Sequence, residues 1–184
     1  PVARVRAIED IHAIERHPYD ALEPARNLYD LFRATAEQHG EAPALTVLRS
    51  PDPADVGVAL SHRGLLAEVT RAANLFRAAG LSESEGVAAF LAPTLPALPT
   101  LPLGAQVAGV ASSLNYLLSR EAIVELLNAQ RATLLVVPAP ALDAACWAKA
   151  ECILDQVPTL RRVLVIGAAP DAPAGFSALE PALA

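Results

Sequence analysis

Apolar residues along this 184-residue chain alternate between stripes at helical spacing and short continuous runs. Leu28, Leu31, Phe32 and Ala36 form one face of a helix, with Asn27 placed to cap it, Asp30 three residues on, and Gly40 at its end. Ala44–Leu48 predicts a strand, RSPDPADVG (Arg49–Gly57) a turn-rich loop, and Val58–Leu60 the returning arm of a hairpin. Ser61 then caps a helix whose stripe runs Leu65/Leu66, Val69, Ala72/Ala73 and Phe76, stopping before Gly80. Val87–Ala92, Val110–Ser113, Thr133–Val137 and Arg162–Ile166 read as buried strands. Between them the pattern predicts a helical turn around Ala105–Ala108 and a helix after Ser119 with Ile123, Leu126 and Leu127 inward. A third helix is expected over Leu142–Val157, with Leu142, Cys146, Ile153 and Val157 on one side. Near-continuous apolar strands separated by helices imply an α/β fold, a parallel sheet with helices on both faces.

From Gly86 to Ser119 no residue is charged, so this run must lie in a protein core or in lipid. Pro93, Pro96, Pro99 and Pro102 recur every third residue, followed by Gly104 and Gly109. A membrane-spanning helix needs about 20 apolar residues with an intact hydrogen-bond ladder, which these breakers interrupt. The run is therefore expected to be strand, short helix and strand, with no membrane span. Residues 1–26 read as a lead-in, 27–169 as the α/β subdomain, and 170–184 as a linker or frayed end.

Composition narrows the function classes. The hydrophobic fraction is 53% with only 4% aromatic residues, so the core must be built on Ala, Leu and Val. A net charge of −6 argues against nucleic acid as a partner. Cys146 and Cys152 match no zinc spacing and are expected as buried free thiols; with no signal-peptide pattern at the N-terminus, the cytoplasm is the expected compartment. Thirteen Arg accompany a single Lys, Lys149, a bias typical of a GC-rich bacterial genome.

Motifs for chemistry are absent. The chain has no G-x-G-x-x-G, no P-loop and no G-x-S-x-G; Val165–Pro170 supplies one glycine at a strand end. His12, His17, His39 and His62 have no metal-ligand spacing, and a helix C-terminus accounts for His39. Glu9/Asp10 and Glu83/Glu85 read as solvated faces, and Tyr116 and Trp147 as packing residues. No catalytic, cofactor-binding or metal-ligating residue is assigned.

Several segments together resemble the AMP-forming acyl-CoA synthetases, the acyl-adenylate-forming enzymes. They are Asn27–Gly40, Ala44–Leu48, Leu60-Ser-His-Arg-Gly-Leu65, Ala72-Ala-Asn-Leu-Phe-Arg-Ala-Ala-Gly80 and Gly86–Leu91. The segments Leu103-Gly-Ala-Gln-Val-Ala-Gly109 and Leu114-Asn-Tyr-Leu-Leu-Ser-Arg-Glu121 are similar to the family's "leu-gly-x-x-x-ala-gly-x-x-x-x-x-asn-pro" stretch. Ile153–Val165 is similar to the helix and strand that follow. Against the family pattern, His62 and Gly64 replace Tyr and Glu, Tyr116 replaces a proline, and Leu117 stands where some relatives carry a basic residue that helps hold CoA; Arg120 is not equivalent to it.

The resemblance implies the N-terminal part of the synthetase large domain and a parent acid:CoA ligase of fatty-acid or other acyl metabolism. That parent would use ATP, magnesium and CoA, converting ATP to AMP and pyrophosphate. The family's phosphate loop, ribose-binding aspartate and catalytic lysine would lie beyond this sequence, and Lys149 does not match the lysine. The chain alone is thus expected to hold no cofactor and to be inactive, with the remainder of its synthetase as partner and a homodimer as a further expectation. The alternative is a free-standing degenerate α/β domain used for protein interaction or oligomerisation.

Overall fold

The computed structural model of the chain describes residues 5–18, 25–48, 50, 52, 54–167 and 171–179. A lone helix α1 (Ile8–Glu15) precedes α2 (Leu28–His39), the hairpin β1 (Pro43–Val47) and β2 (Val58–Ser61), and the long α3 (His62–Ala78). There follow β3 (Val87–Phe90), α4 (Leu101–Ala108), β4 (Val110–Ser113), α5 (Arg120–Ala129), β5 (Leu134–Pro138), α6 (Ala144–Ala150), β6 (Arg162–Ile166) and β7 (Phe176–Ala178).

The caps read from sequence form as expected. Asn27 Oδ1 accepts from the Asp30 N–H at 2.8 Å, and Ser61 Oγ from Gly64 N–H at 3.1 Å. Ser119 Oγ accepts from Ala122 N–H at 3.3 Å. Each satisfies one of the orphan donors that open a helix. The hairpin is antiparallel, with Leu45 opposite Leu60 and Val47 opposite Val58.

The main sheet is parallel throughout, in the order β4-β3-β5-β6-β7. The chain moves one way from β3 to β4 and then returns past β3 to β5. Right-handed crossovers therefore place α4 on one face and α5 and α6 on the other. Side-chain alternation agrees. Ala88, Phe90, Leu134, Val136, Leu164 and Ile166 pack under α3 and α4. Ala89, Leu91, Leu135, Val137, Val163 and Val165 pack under α5 and α6. The uncharged run forms β3, α4 and β4, and no helix among the described residues is long and apolar enough to cross a membrane.

Six expectations need correction. Val110–Ser113, expected as a buried strand, is the edge of the sheet, with Val110 half exposed. The helical turn at Ala105–Ala108 is a full helix from Leu101, because Pro102 sits in its first turn where a missing N–H costs no bond. Leu126 is 43% exposed, since only Ile123 and Leu127 of that stripe point squarely inward. The helix expected over Leu142–Val157 spans only Ala144–Ala150, and Leu142 is half exposed. At Glu151 the backbone turns extended and at Cys152 it becomes left-handed (φ 58°), which re-aims the chain so that the 3-10 turn Ile153–Asp155 buries Ile153. Cys152 is in consequence exposed, while Cys146 is buried as expected.

Finally, the stretch expected as a linker or frayed end carries β7, an edge strand whose Phe176 meets Trp147 edge-on at 5.4 Å. An aromatic partner three helices' length away in sequence gave that short strand no local signature. The remainder of that stretch, residues 170 and 180–184, lies outside the described residues, as do the first four residues of the lead-in.

Candidate functional site

In a doubly wound sheet the ligand crevice opens at the carboxyl ends of the strands where the winding reverses. Here that point lies between β3 and β5. The loops leaving these strands, residues 91–96 and 139–143, contain one ionisable side chain, Asp143. Its carboxylate is committed to capping α6, accepting from the Cys146 N–H at 2.7 Å. The remaining polar side chain is the Thr94 hydroxyl.

Beside this rim, the turn after β4 is fixed by three ties. Leu114 N–H donates to Phe90 C=O at 2.9 Å, and Leu117 N–H to Asn115 Oδ1 at 3.0 Å, closing an Asx turn. Lys149 Nζ donates to Tyr116 C=O at 2.5 Å, reaching across from α6. Arg120 Nη2 donates to Glu151 C=O, and Trp147 Nε1 to Glu151 Oε1 at 3.0 Å, so α5, α6 and the turn form one unit. Lys149 therefore braces backbone.

The other residues weighed in the sequence are dispersed. His39 and His62 lie against each other with ring centroids 5.5 Å apart, at the junction of α2 and the hairpin. His12 belongs to the exposed helix α1. Among the described residues no group of three His, Cys, Asp or Glu could hold a metal ion. Asp10 accepts from the Arg6 and Ala7 N–H groups, which hold its carboxyl below the usual carboxylate range. The N–H of Glu121 itself and the Ser119 hydroxyl do the same for Glu121. Burial, aided by the Asp143 carboxylate, pushes the Cys146 thiol up to about 11, so it stays protonated and unreactive.

The glycines of the motif Leu103–Gly109 act by close approach. A Cβ on Gly104 would lie 2.3 Å from Ala72 Cβ and 2.8 Å from Ala73 N, because α3 and α4 touch backbone to backbone there. One on Gly109 would lie 2.5 Å from Ser82 C=O.

Two clefts open away from the carboxyl rim. One of about 620 Å³ lies between α2, α3 and the C-terminal end of α4, with Asp30, Asn74, Arg77, Glu83 and Gln106 in its wall. Arg77 there donates to Val107 C=O at 3.1 Å. The other, about 560 Å³, lies beneath the amino ends of β3, β5 and β6, and includes Glu85, Gln130, Arg131 and Arg161. Neither was legible beforehand, because each wall joins residues far apart in sequence.

Architecture and rim define the class as a doubly wound parallel α/β domain. The comparisons name its family. A family model described as AMP-binding enzyme matches residues 32–181, and the chain belongs to that family. Marinolic acid–CoA ligase of Pseudoalteromonas sp. (strain SANK 73390) is 27% identical over 163 residues, 89% of this chain and 25% of that protein. Among solved structures, the Brucella canis acyl-CoA synthetase superposes with a TM-score of 0.66 at 24% identity, covering 85% of this chain and 27% of the other. The coronafacic acid ligase of Pectobacterium brasiliense gives 0.68 at 15% identity, covering 85% and 29%. The chain thus spans about a quarter of the length of the curated relative it matches.

Proposed function

We propose that the chain is the N-terminal subdomain of an ATP-dependent, AMP-forming acid:CoA ligase acting in the cytoplasm. The whole ligase would join a small carboxylic acid to CoA through an acyl-adenylate. The observation that carries this reading is the family match over residues 32–181 of a chain that spans a quarter of a CoA ligase. In this reading the chain supplies scaffold and works with the remainder of its synthetase.

Adenylation needs a clamp for a magnesium-bound triphosphate and a cation at the developing phosphate charge. Residues 91–96 and 139–143 offer a hydroxyl and a carboxylate already used as a cap, which does not fit that group. Lys149 is engaged with Tyr116 C=O. On this reading the chain by itself is expected to be inactive.

Exchange of labelled pyrophosphate into ATP, run with this chain and a panel of aliphatic and aromatic acids, is expected to stay at background. Acid-dependent exchange above background would overturn the assignment of scaffold without chemistry. Sequencing past residue 184 tests the ligase assignment separately: a continuing frame with a Ser/Thr/Gly-rich loop ending Pro-Lys-Gly is expected, and an immediate stop codon would remove it.

A further inference from the structure

We propose that the cleft beneath the amino ends of β3, β5 and β6 binds a phosphate-bearing anion through Arg131 and Arg161. This site lies on the opposite side of the sheet from the carboxyl rim and goes beyond the function proposed above. The cleft of about 560 Å³ is within the size range of small-ligand sites. Arg131 follows α5 and Arg161 precedes β6, and the parallel register of β5 and β6 brings the two residues to one cleft.

Among the described residues neither guanidinium has an ion pair. Gln130, Thr133 and Thr159 line the same cleft and add polar side chains to its wall.

Gly86 shapes the opening. Its φ is +92°, and a Cβ there would lie 2.6 Å from Thr133 Oγ1, so any other residue would narrow the wall. Glu85 is the single carboxylate of the lining and leaves the cleft with a net charge of about +1. On a chain of net charge −6, general attraction for anions is excluded, so binding has to come from local donors. Guanidinium forks match phosphate oxygens in pairs, which favours phosphate over a monovalent anion.

The phosphate could belong to free pyrophosphate or to a nucleotide, so both serve as probes. Calorimetric titration of this chain at low ionic strength with pyrophosphate, and separately with adenosine 3′,5′-bisphosphate, is expected to give saturable binding of at least one. Binding should weaken as salt is added. Arg131→Asn and Arg161→Gln should each weaken it about tenfold or more, the size of a lost charge-assisted hydrogen bond. Asn suits position 131 because it tolerates the left-handed φ of 55° found there. Glu85→Gln should tighten binding. Arg162→Gln removes the same charge just outside the lining and should change affinity by less than about twofold. Melting curves without ligand verify that each variant folds. Failure of both probes to saturate, or equal weakening by Arg162→Gln, overturns the site.

Discussion

A Cβ on Gly104 would run into Ala72 and the Ala73 backbone, so α3 and α4 leave no room there for a side chain. Gly104→Ala should lower stability by about 1–3 kcal/mol, the usual cost of forcing a methyl group into a filled interior, with Gly104→Val costing more. Chemical denaturation measures this; an unchanged midpoint would show that α3 and α4 can separate freely. The thiols differ as sharply. At pH 8 a disulfide reagent should titrate Cys152 rapidly and leave Cys146 unmodified until denaturant is added, because the latter's pKa is about 11 and its sulfur is buried. Two equal fast phases would contradict that placement. Both glycines of the motif were visible in sequence, but the reason for them was not. It depends on which backbone lies opposite, and no spacing rule encodes a neighbour 32 residues away.

Elements defined by a stripe plus a cap were the legible ones. α2, α3 and α5 begin at the capping residues read from sequence because a cap is a local hydrogen bond, independent of tertiary context. Ser61→Ala should therefore cost about 1 kcal/mol and Ser61→Gly only a few tenths, read as midpoint shifts in urea. If both substitutions cost the same, Ser61 Oγ is not holding the Gly64 N–H. Where tertiary packing overrode local pattern, the reading failed. The stretch Leu142–Val157 has apolar positions compatible with one long helix, yet burying Trp147 against Phe176 and Ile153 in the core requires two segments at different angles. β7 is three residues long and is defined by its pairing with β6.

Across the whole molecule, stability is graded from the sheet outward. β5 is buried along its entire length between β3 and β6, whereas α1 has no buried residue. Hydrogen exchange should be slowest at Leu134–Val137 and Val163–Val165 and fastest in Ile8–Glu15, with the β1–β2 hairpin between them. Protection of α1 matching that of β5 would mean that α1 docks on a partner. The parallel fold was legible because Val87–Phe90, Leu134–Val137 and Val163–Ile166 are uninterrupted apolar runs, which a sheet covered on both faces accommodates. The two clefts were not, since parallel register assembles their walls from different crossovers.

Lys149, the one lysine of the chain, holds Tyr116 C=O at 2.5 Å. Apart from the α-amino group, an acylating dye consequently has a single address on this protein. Labelling it neutralises the ammonium and leaves a single amide N–H where three charged N–H donors faced the turn after β4. Each labelled molecule is thus also one whose tie between the β4–α5 turn and α6 has lost its charge, so the label perturbs the turn it reports on.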